Sequence, residues 1–261
     1  MLIVVFIGII STFYSSLQSM ENQDALSSYT NASVEQQLAA ITTNDRPQLT
    51  VRLPQLEQQN NLLQNRTLLP GDPLEAIKQY LYSGSYNREI KAILDNVYEQ
   101  LAQEPVDERS AIIFDIDDTI VSHHDYRIQA IEEESNTDAN FFAYICKTDS
   151  PAIPEVLEFY NKVKALGYKI ILLTGRSRDY LACTEEVLAK NGYTGYTKLI
   201  LKSPEEKAQF KTAAAFKQHK RQELADEGYS IKACIGDQEC DIEGGNTGIK
   251  VKIPNPLFLN R

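Results

Sequence analysis

The stretch Ala111-Ile-Ile-Phe-Asp115-Ile-Asp117-Asp-Thr119 passes without a break from a short apolar run into acids and a hydroxyl. A continuous apolar run marks a strand buried on both faces, as in a parallel sheet covered by helices. The chain on either side repeats that alternation. Upstream, Gly71-Asp-Pro73 supplies a breaker and a helix cap ahead of an amphipathic stretch reaching about Gln103. Downstream, Pro154 opens a stretch with Val156, Leu157, Tyr160, Val163 and Leu166 at helical spacing, closed by Gly167. Further strands are predicted at 168–173, 197–201, 231–235 and 249–253, with helices at 179–190 and 205–226. Strands separated by helices need right-handed crossovers and give an α/β fold with a doubly wound parallel sheet.

In such a sheet the ligand lies beyond the carboxyl ends of the strands. The first strand ends in Asp115, Asp117, Asp118 and Thr119, the second in Thr174-Gly-Arg176, and the fourth in Gly236-Asp237 with Asp241 close behind. Four carboxylates, Asp115, Asp117, Asp237 and Asp241, are expected to converge there. Carboxylates held a few ångström apart repel and resist joint ionisation. A divalent cation relieves the repulsion, and an all-oxygen set favours Mg2+ over zinc.

Composition narrows the classes further. The 261 residues carry 26 Lys and Arg against 36 Asp and Glu, a formal net charge of −10. That sign argues against nucleic acid as a partner, so an anionic substrate must be held locally against the field of the whole chain. Apolar residues at 43% and charged residues at 24% fit a globular chain and exclude collagen-like or wholly disordered classes. Cys146, Cys183, Cys234 and Cys240 show no CxxC spacing, and three His do not support a zinc framework. They are expected as buried free thiols; disulfides, in an unspecified pairing, are the alternative in an exported chain.

The chain opens on an uncharged apolar run from Met1 to Ile10, too short for a bilayer span of about 20 residues. Residues 1–20 are expected to be a signal peptide or signal anchor, 21–69 a polar linker or arm rich in Gln and Asn, and 70–261 the folded domain. Export to a periplasmic or secreted location is the expectation, with membrane contact only through the N-terminal segment.

Asp115-x-Asp117-x-Thr119 after a buried strand, the strand-terminal Thr174, a helical lysine and Gly236-Asp237-x-x-x-Asp241 resemble the four signature motifs of the haloacid-dehalogenase (HAD) superfamily of aspartyl phosphotransferases. The fuller strings Phe114-Asp-Ile-Asp-Asp-Thr119, Leu173-Thr-Gly-Arg176, Leu199-Ile-Leu-Lys-Ser-Pro204, Glu227-Gly-Tyr229 and Ile253-Pro-Asn-Pro256 are similar to its acid phosphatase branch, with its bacterial class B and C enzymes and plant vegetative storage proteins. The resemblance covers roughly 73–259. It implies a Mg2+-dependent acid phosphatase that hydrolyses small-molecule phosphomonoesters through a phosphoaspartate. In that scheme Asp115 is the nucleophile and Asp117 the general acid/base. By the same resemblance the metal ligands are an Asp115 carboxylate oxygen, the Asp117 backbone carbonyl and Asp237, with Asp241 close by. Thr174, the N–H of Gly175, Lys217 and Arg176 are implied to bind the phosphoryl group. Lys207, Lys211 and Lys220 compete with Lys217 for the lysine role. The spacing from Lys217 to Tyr229 and Asp237 matches that of related acid phosphatases, and Lys211 is the alternative.

Plainer readings stand beside these. Asp118 reads as a solvated or capping acid, Thr119 as a turn cap and Arg176 as the partner of a surface acid; His123 and His124 read either as imidazoles within reach of substrate, which when protonated favour a phosphoester at acid pH, or as exposed loop residues. An insert at about 120–152 is expected to form a small helical cap over an open pocket. Phe141, Phe142 and Tyr144 would pack its core or touch an aromatic leaving group. A storage or binding protein with little turnover and a phosphoaccepting receiver domain are the competing classes. The intact motif set argues against the first, and an acid two residues after the nucleophile argues against the second.

Overall fold

A computed structural model describes residues 72–135, 138–146 and 150–258. The expected signal segment and polar linker lie outside the described residues. Among those described, the strands β1 (Ser110–Phe114), β2 (Lys169–Ser177), β3 (Lys198–Lys202), β4 (Ser230–Gly236) and β5 (Ile249–Lys252) form one parallel sheet in the order β3-β2-β1-β4-β5. β1 is central, with Ile112 opposite Ile170 of β2 and Ala233 of β4. The chain winds one way from β1 to β3 and the other way through β4 and β5, so the order reverses between β1 and β4. That switch point is where a doubly wound sheet leaves a crevice.

Successive strand residues point to opposite faces, and each face is covered by its own helices. On one face Ile112, Phe114, Ile170, Leu172, Ala233 and Ile235 pack against helix α2 (Ser85–Leu101) and helix α5 (Pro154–Ala165). On the other, Ile113, Ile171, Leu173 and Cys234 meet Phe216 and Leu224 of helix α8 (Ala213–Asp226). Helix α1 (Pro73–Tyr82) precedes α2 and is capped by Asp72, whose carboxylate accepts the Leu74 N–H at 2.9 Å. Gly84, at φ 79°, separates the two helices. Helix α6 (Leu181–Lys190) follows β2, and the single turn α9 (Glu239–Ile242) follows β4.

The helix expected at 205–226 is broken. α7 (Pro204–Gln209) ends at Phe210, which is extended, and α8 restarts where the Thr212 hydroxyl accepts the Ala215 N–H at 3.1 Å. Lys211 falls in this exposed break. The insert after β1 holds α3 (His124–Glu132) and α4 (Asp138–Ile145). Its two ends are clamped: the Ser122 N–H donates to the Pro151 carbonyl at 2.8 Å and the Ile153 N–H to the Ile120 carbonyl at 3.0 Å. Cys146, just past α4, is disulfide-bonded to Cys183 of α6. The expectation of four free thiols is therefore corrected, since only Cys234 and Cys240 remain free. The pairing joins segments that meet only in the fold, so local spacing carries no sign of it. No helix among the described residues is long and apolar enough to cross a membrane.

Candidate functional site

The crevice at the switch point is built from strand ends. The Asp115 N–H still donates to the Ile235 carbonyl of β4 at 2.9 Å, while its side chain lies just beyond the sheet. From the opposite face Lys217 of α8, itself buried, places its Nζ 2.5 Å from Asp115 Oδ1 and in contact with Asp241 Oδ1. The turn after β4 brings Asp237 and Asp241 to the same place. Asp115, Asp237 and Asp241 offer oxygens that all lie within 4.8 Å of one another. Gly236 makes this approach feasible, because a Cβ there would stand 2.1 Å from Asp241 Cβ.

Asp117 lies at the same strand edge, near enough for its charge to act on Asp115, but stands outside the group of three. Its carboxylate accepts from Arg176, Nη2 to Oδ1 at 2.7 Å and Nε to Oδ2 at 3.0 Å, and from His123 Nε2 to Oδ1 at 2.8 Å. Arg176 is fully buried and also donates to Thr184 Oγ1 at 3.0 Å. Its partner is thus an acid of the site, not one on the surface. β2 runs on to Ser177, so Thr174 does not end the strand as expected; it is buried at the irregularity after Leu173, where its hydroxyl accepts the Arg176 N–H at 3.1 Å. The neighbouring Gly175 is exposed, with nothing within 4 Å of where a Cβ would sit.

Electrostatics separate the acids. Burial and the adjacent Asp241 push Asp115 up, with Lys217 opposing. Burial lifts Asp117 too, but the Arg176 guanidinium and His123 more than offset it and hold its carboxyl well below the usual range. Burial, Asp118 and Asp241 raise Asp237 to about 7. Its hydrogen-bond partners, Thr119 Oγ1 at 3.3 Å, Gln238 Nε2 at 2.5 Å and Asn255 Nδ2 at 2.7 Å, are all neutral. A buried carboxylate without a cation of its own, beside two others, fits a hard divalent ion, which prefers oxygen ligands and lowers such values.

Several supports escaped the sequence. Asp118, at φ 54°, is not solvated: it is buried, accepts from Arg127 Nε at 2.5 Å and takes the backbone N–H of His123, at the start of α3, at 2.9 Å. Thr119 does more than cap a turn, for its hydroxyl accepts the Asp237 N–H at 3.0 Å and ties the first and fourth motif loops. Arg221, one turn after Lys217, donates to the carbonyls of Asp241 at 3.1 Å and Gly245 at 3.2 Å and so pins the loop that carries Asp241. His123 and His124 are buried rather than exposed. Their positions beside the first motif were the available signal; an even helical phase, Lys217 to Arg221, was the signal for the arginine.

Residues 36–260 match the family model described as HAD superfamily, subfamily IIIB (acid phosphatase). The chain is 35% identical over 193 residues to the stem 28 kDa glycoprotein of Glycine max, a match covering 73% of this chain and 76% of that one. It is 30% identical over 208 residues to acid phosphatase 1 of Solanum lycopersicum, covering 76% and 78%. The class C acid phosphatase of Bacillus anthracis superposes with a TM-score of 0.57 at 21% identity, over 71% of this chain and 84% of that one, which shows the shared fold. Because the family match runs through every strand end that delivers an acid to the crevice, the chain belongs to the HAD superfamily acid phosphatases of subfamily IIIB and is a phosphomonoesterase.

Proposed function

We propose that this phosphatase works through a phosphoaspartate on Asp115, with Asp117 as general acid/base and Mg2+ as its metal. The observation that carries the reading is the division of labour between two carboxylates on one loop. Asp115 lies among Lys217, Asp237 and Asp241, whereas Asp117 is held apart by Arg176 and His123. The metal would be held by carboxylate oxygens of Asp115 and Asp237 and the Asp117 carbonyl, with Asp241 beside them, and Lys217 moving from its bond with Asp115 toward the phosphoryl oxygens. Bound there, it supplies positive charge against the phosphoryl oxygens.

The chain's own residues carry the rest. An Asp115 oxygen attacks phosphorus, the bond to the ester oxygen breaks, and Asp117 gives that oxygen its proton. Thr174 and the Gly175 N–H, in the irregular last part of β2 with open space beside Gly175, receive the remaining phosphoryl oxygens. Asp117 then takes a proton from water, which attacks the phosphoaspartate and returns Asp115. Because Asp117 rests ionised, the first proton arrives with a monoanionic phosphoester, the form present below its second pKa of about 6. Turnover on this reading falls as pH rises through that value.

The test is hydrolysis of an aryl phosphate by the full chain, with Mg2+ and with chelator, beside Asp115→Asn. Metal-dependent turnover that disappears in D115N, with phosphate trapped on the wild-type aspartate by rapid acid quench, is the expected result. A folded, Mg2+-binding wild type with no turnover on aryl, sugar or nucleoside phosphates would overturn it in favour of a storage or binding role. Export and the division into signal segment, arm and catalytic domain remain part of the same proposal, tested by sequencing the amino terminus of the mature protein.

A further inference from the structure

Two adjacent imidazoles follow the first motif, and the fold treats them differently. His124 packs edge-on to Tyr86 with ring centroids 4.9 Å apart, and its Nε2 has no partner. His123 has both nitrogens engaged. Its Nε2 lies 2.8 Å from Asp117 Oδ1 and its Nδ1 2.9 Å from Ser150 Oγ. Asp117 in its carboxylate form accepts only, so Nε2–H donates to it, and Nδ1 shares a hydrogen bond with the Ser150 hydroxyl, which can serve as donor or acceptor. The ring cannot turn freely, because Phe141 and Tyr144 of the cap stand edge-on at 5.1 and 6.2 Å. Ser150 is fixed in turn: Asn191 Nδ2 donates to its carbonyl at 2.9 Å, and the same amide's oxygen accepts the Ala152 N–H at 2.6 Å.

The arrangement distinguishes the two oxygens of Asp117. Oδ1 receives Arg176 Nη2 at 2.7 Å, His123 Nε2 at 2.8 Å and a shared bond from Arg176 Nε at 3.2 Å, while Oδ2 receives only that shared Arg176 Nε, at 3.0 Å. Arg176 by itself approaches both oxygens from one side; His123 adds a donor from another element and saturates Oδ1. We propose that His123, seated by Ser150, is a positioning residue that orients Asp117 so that Oδ2 is the oxygen exchanging a proton with the leaving group and with water. This rests on Asp117 being the general acid/base. The cap, through Phe141, Tyr144 and Ser150, then contributes to catalysis by holding an imidazole rather than by touching substrate.

A group that acts through the general acid must matter in proportion to how much acid the leaving group needs. The test compares kcat/KM for p-nitrophenyl phosphate, whose leaving group departs readily as an anion, with that for glycerol phosphate, whose alkoxide does not. Full-length wild type, H123F, H123Q, S150A and D117N are measured on both. General acid–base catalysis contributes about 10²- to 10⁴-fold, so H123F is expected to lose about 10- to 100-fold on the alkyl ester and less than about threefold on the aryl ester. H123Q, whose amide nitrogen stands where Nε2 stood, restores most of the loss. S150A shows a smaller loss with the same bias toward the alkyl ester, and carries the comparison if H123F does not fold. H123F in the D117N background adds nothing further.

Equal losses on both substrates, or no loss, in variants with the wild-type unfolding midpoint would overturn the proposal alone. Wild-type turnover with no alkyl bias in D117N would instead overturn the acid/base role of Asp117, and the proposal with it.

Discussion

Asp118 offers the sharpest test of how the first motif loop is held. Its carboxylate and the Arg127 guanidinium are both buried, with Nε 2.5 Å from Oδ2, and Arg127 is further enclosed by the ring of Phe141, its guanidinium carbon 4.5 Å from the centroid. At an effective dielectric constant of about 20 the gross attraction over this distance is about 7 kcal/mol, most of it offset by desolvation of the two groups. Removing one partner is therefore costlier than removing both. Asp118→Asn isolates the charge: Asn tolerates the left-handed backbone at φ 54° and can still accept the His123 N–H now bonded to Oδ1 at 2.9 Å. It leaves Arg127 buried and unpaired, at a cost of about 3–5 kcal/mol. For a domain of this size that lowers the unfolding midpoint by about 6–20 °C. The assay is thermal unfolding by circular dichroism in chelator, for wild type, D118N, R127M and the double variant. The double variant should regain most of the loss, since it removes both charges and leaves an apolar side chain against Phe141. A D118N loss under about 1 kcal/mol, or a double variant no better than the sum of the singles, would refute the buried-pair argument.

Other outcomes follow from the same geometry. Gly236→Ala places a methyl 2.1 Å from Asp241 Cβ, so it should cost about 1–3 kcal/mol by overpacking and weaken Mg2+ binding measured by calorimetry, whereas Gly175→Ala, with open space around it, should fold as wild type. Mg2+ at a hundred times its Kd should stabilise the wild type by about 2.7 kcal/mol, raising the unfolding midpoint, and Asp237→Asn should erase that rise. Reducing Cys146–Cys183, which closes a 37-residue loop, should cost about 4 kcal/mol, read as a lower urea midpoint in reductant that Cys183→Ser reproduces. Burial pushes the Cys234 thiol up to about 12. Raising a thiol's pKa favours the neutral, unreactive form, so Cys234, read in a Cys240→Ser background because Cys240 is only half-buried, should resist Ellman's reagent at pH 8 until the protein is unfolded.

What the sequence disclosed and what it withheld divide along a physical line. The strands were legible because burial on both faces demands unbroken apolar runs, and Ala111 to Phe114 and Ile170 to Leu173 satisfy that demand locally. The candidate acids were legible because the ends of parallel strands point into one crevice, which turned separate strings into Asp115, Asp237 and Asp241 within 4.8 Å. The break at Phe210 was not, since helix propensity runs through 205–226 and only the Thr212 cap competes with it.

The partners of His123, Asp118 and Arg176 were not legible for a related reason. Each residue owes its burial to a partner outside its own motif: His123 to Ser150 and Phe141, Asp118 to Arg127 near the start of the first cap helix, Arg176 to Asp117 and Thr184. A polar residue on a loop is exposed by default, because burying it without a partner costs more than the fold can recover. Here the cap supplies the partners of His123 and Asp118. The insert that reads as a lid over an open pocket therefore also completes the polar shell of the first motif, and its aromatic residues act on Asp117 through the imidazole they enclose.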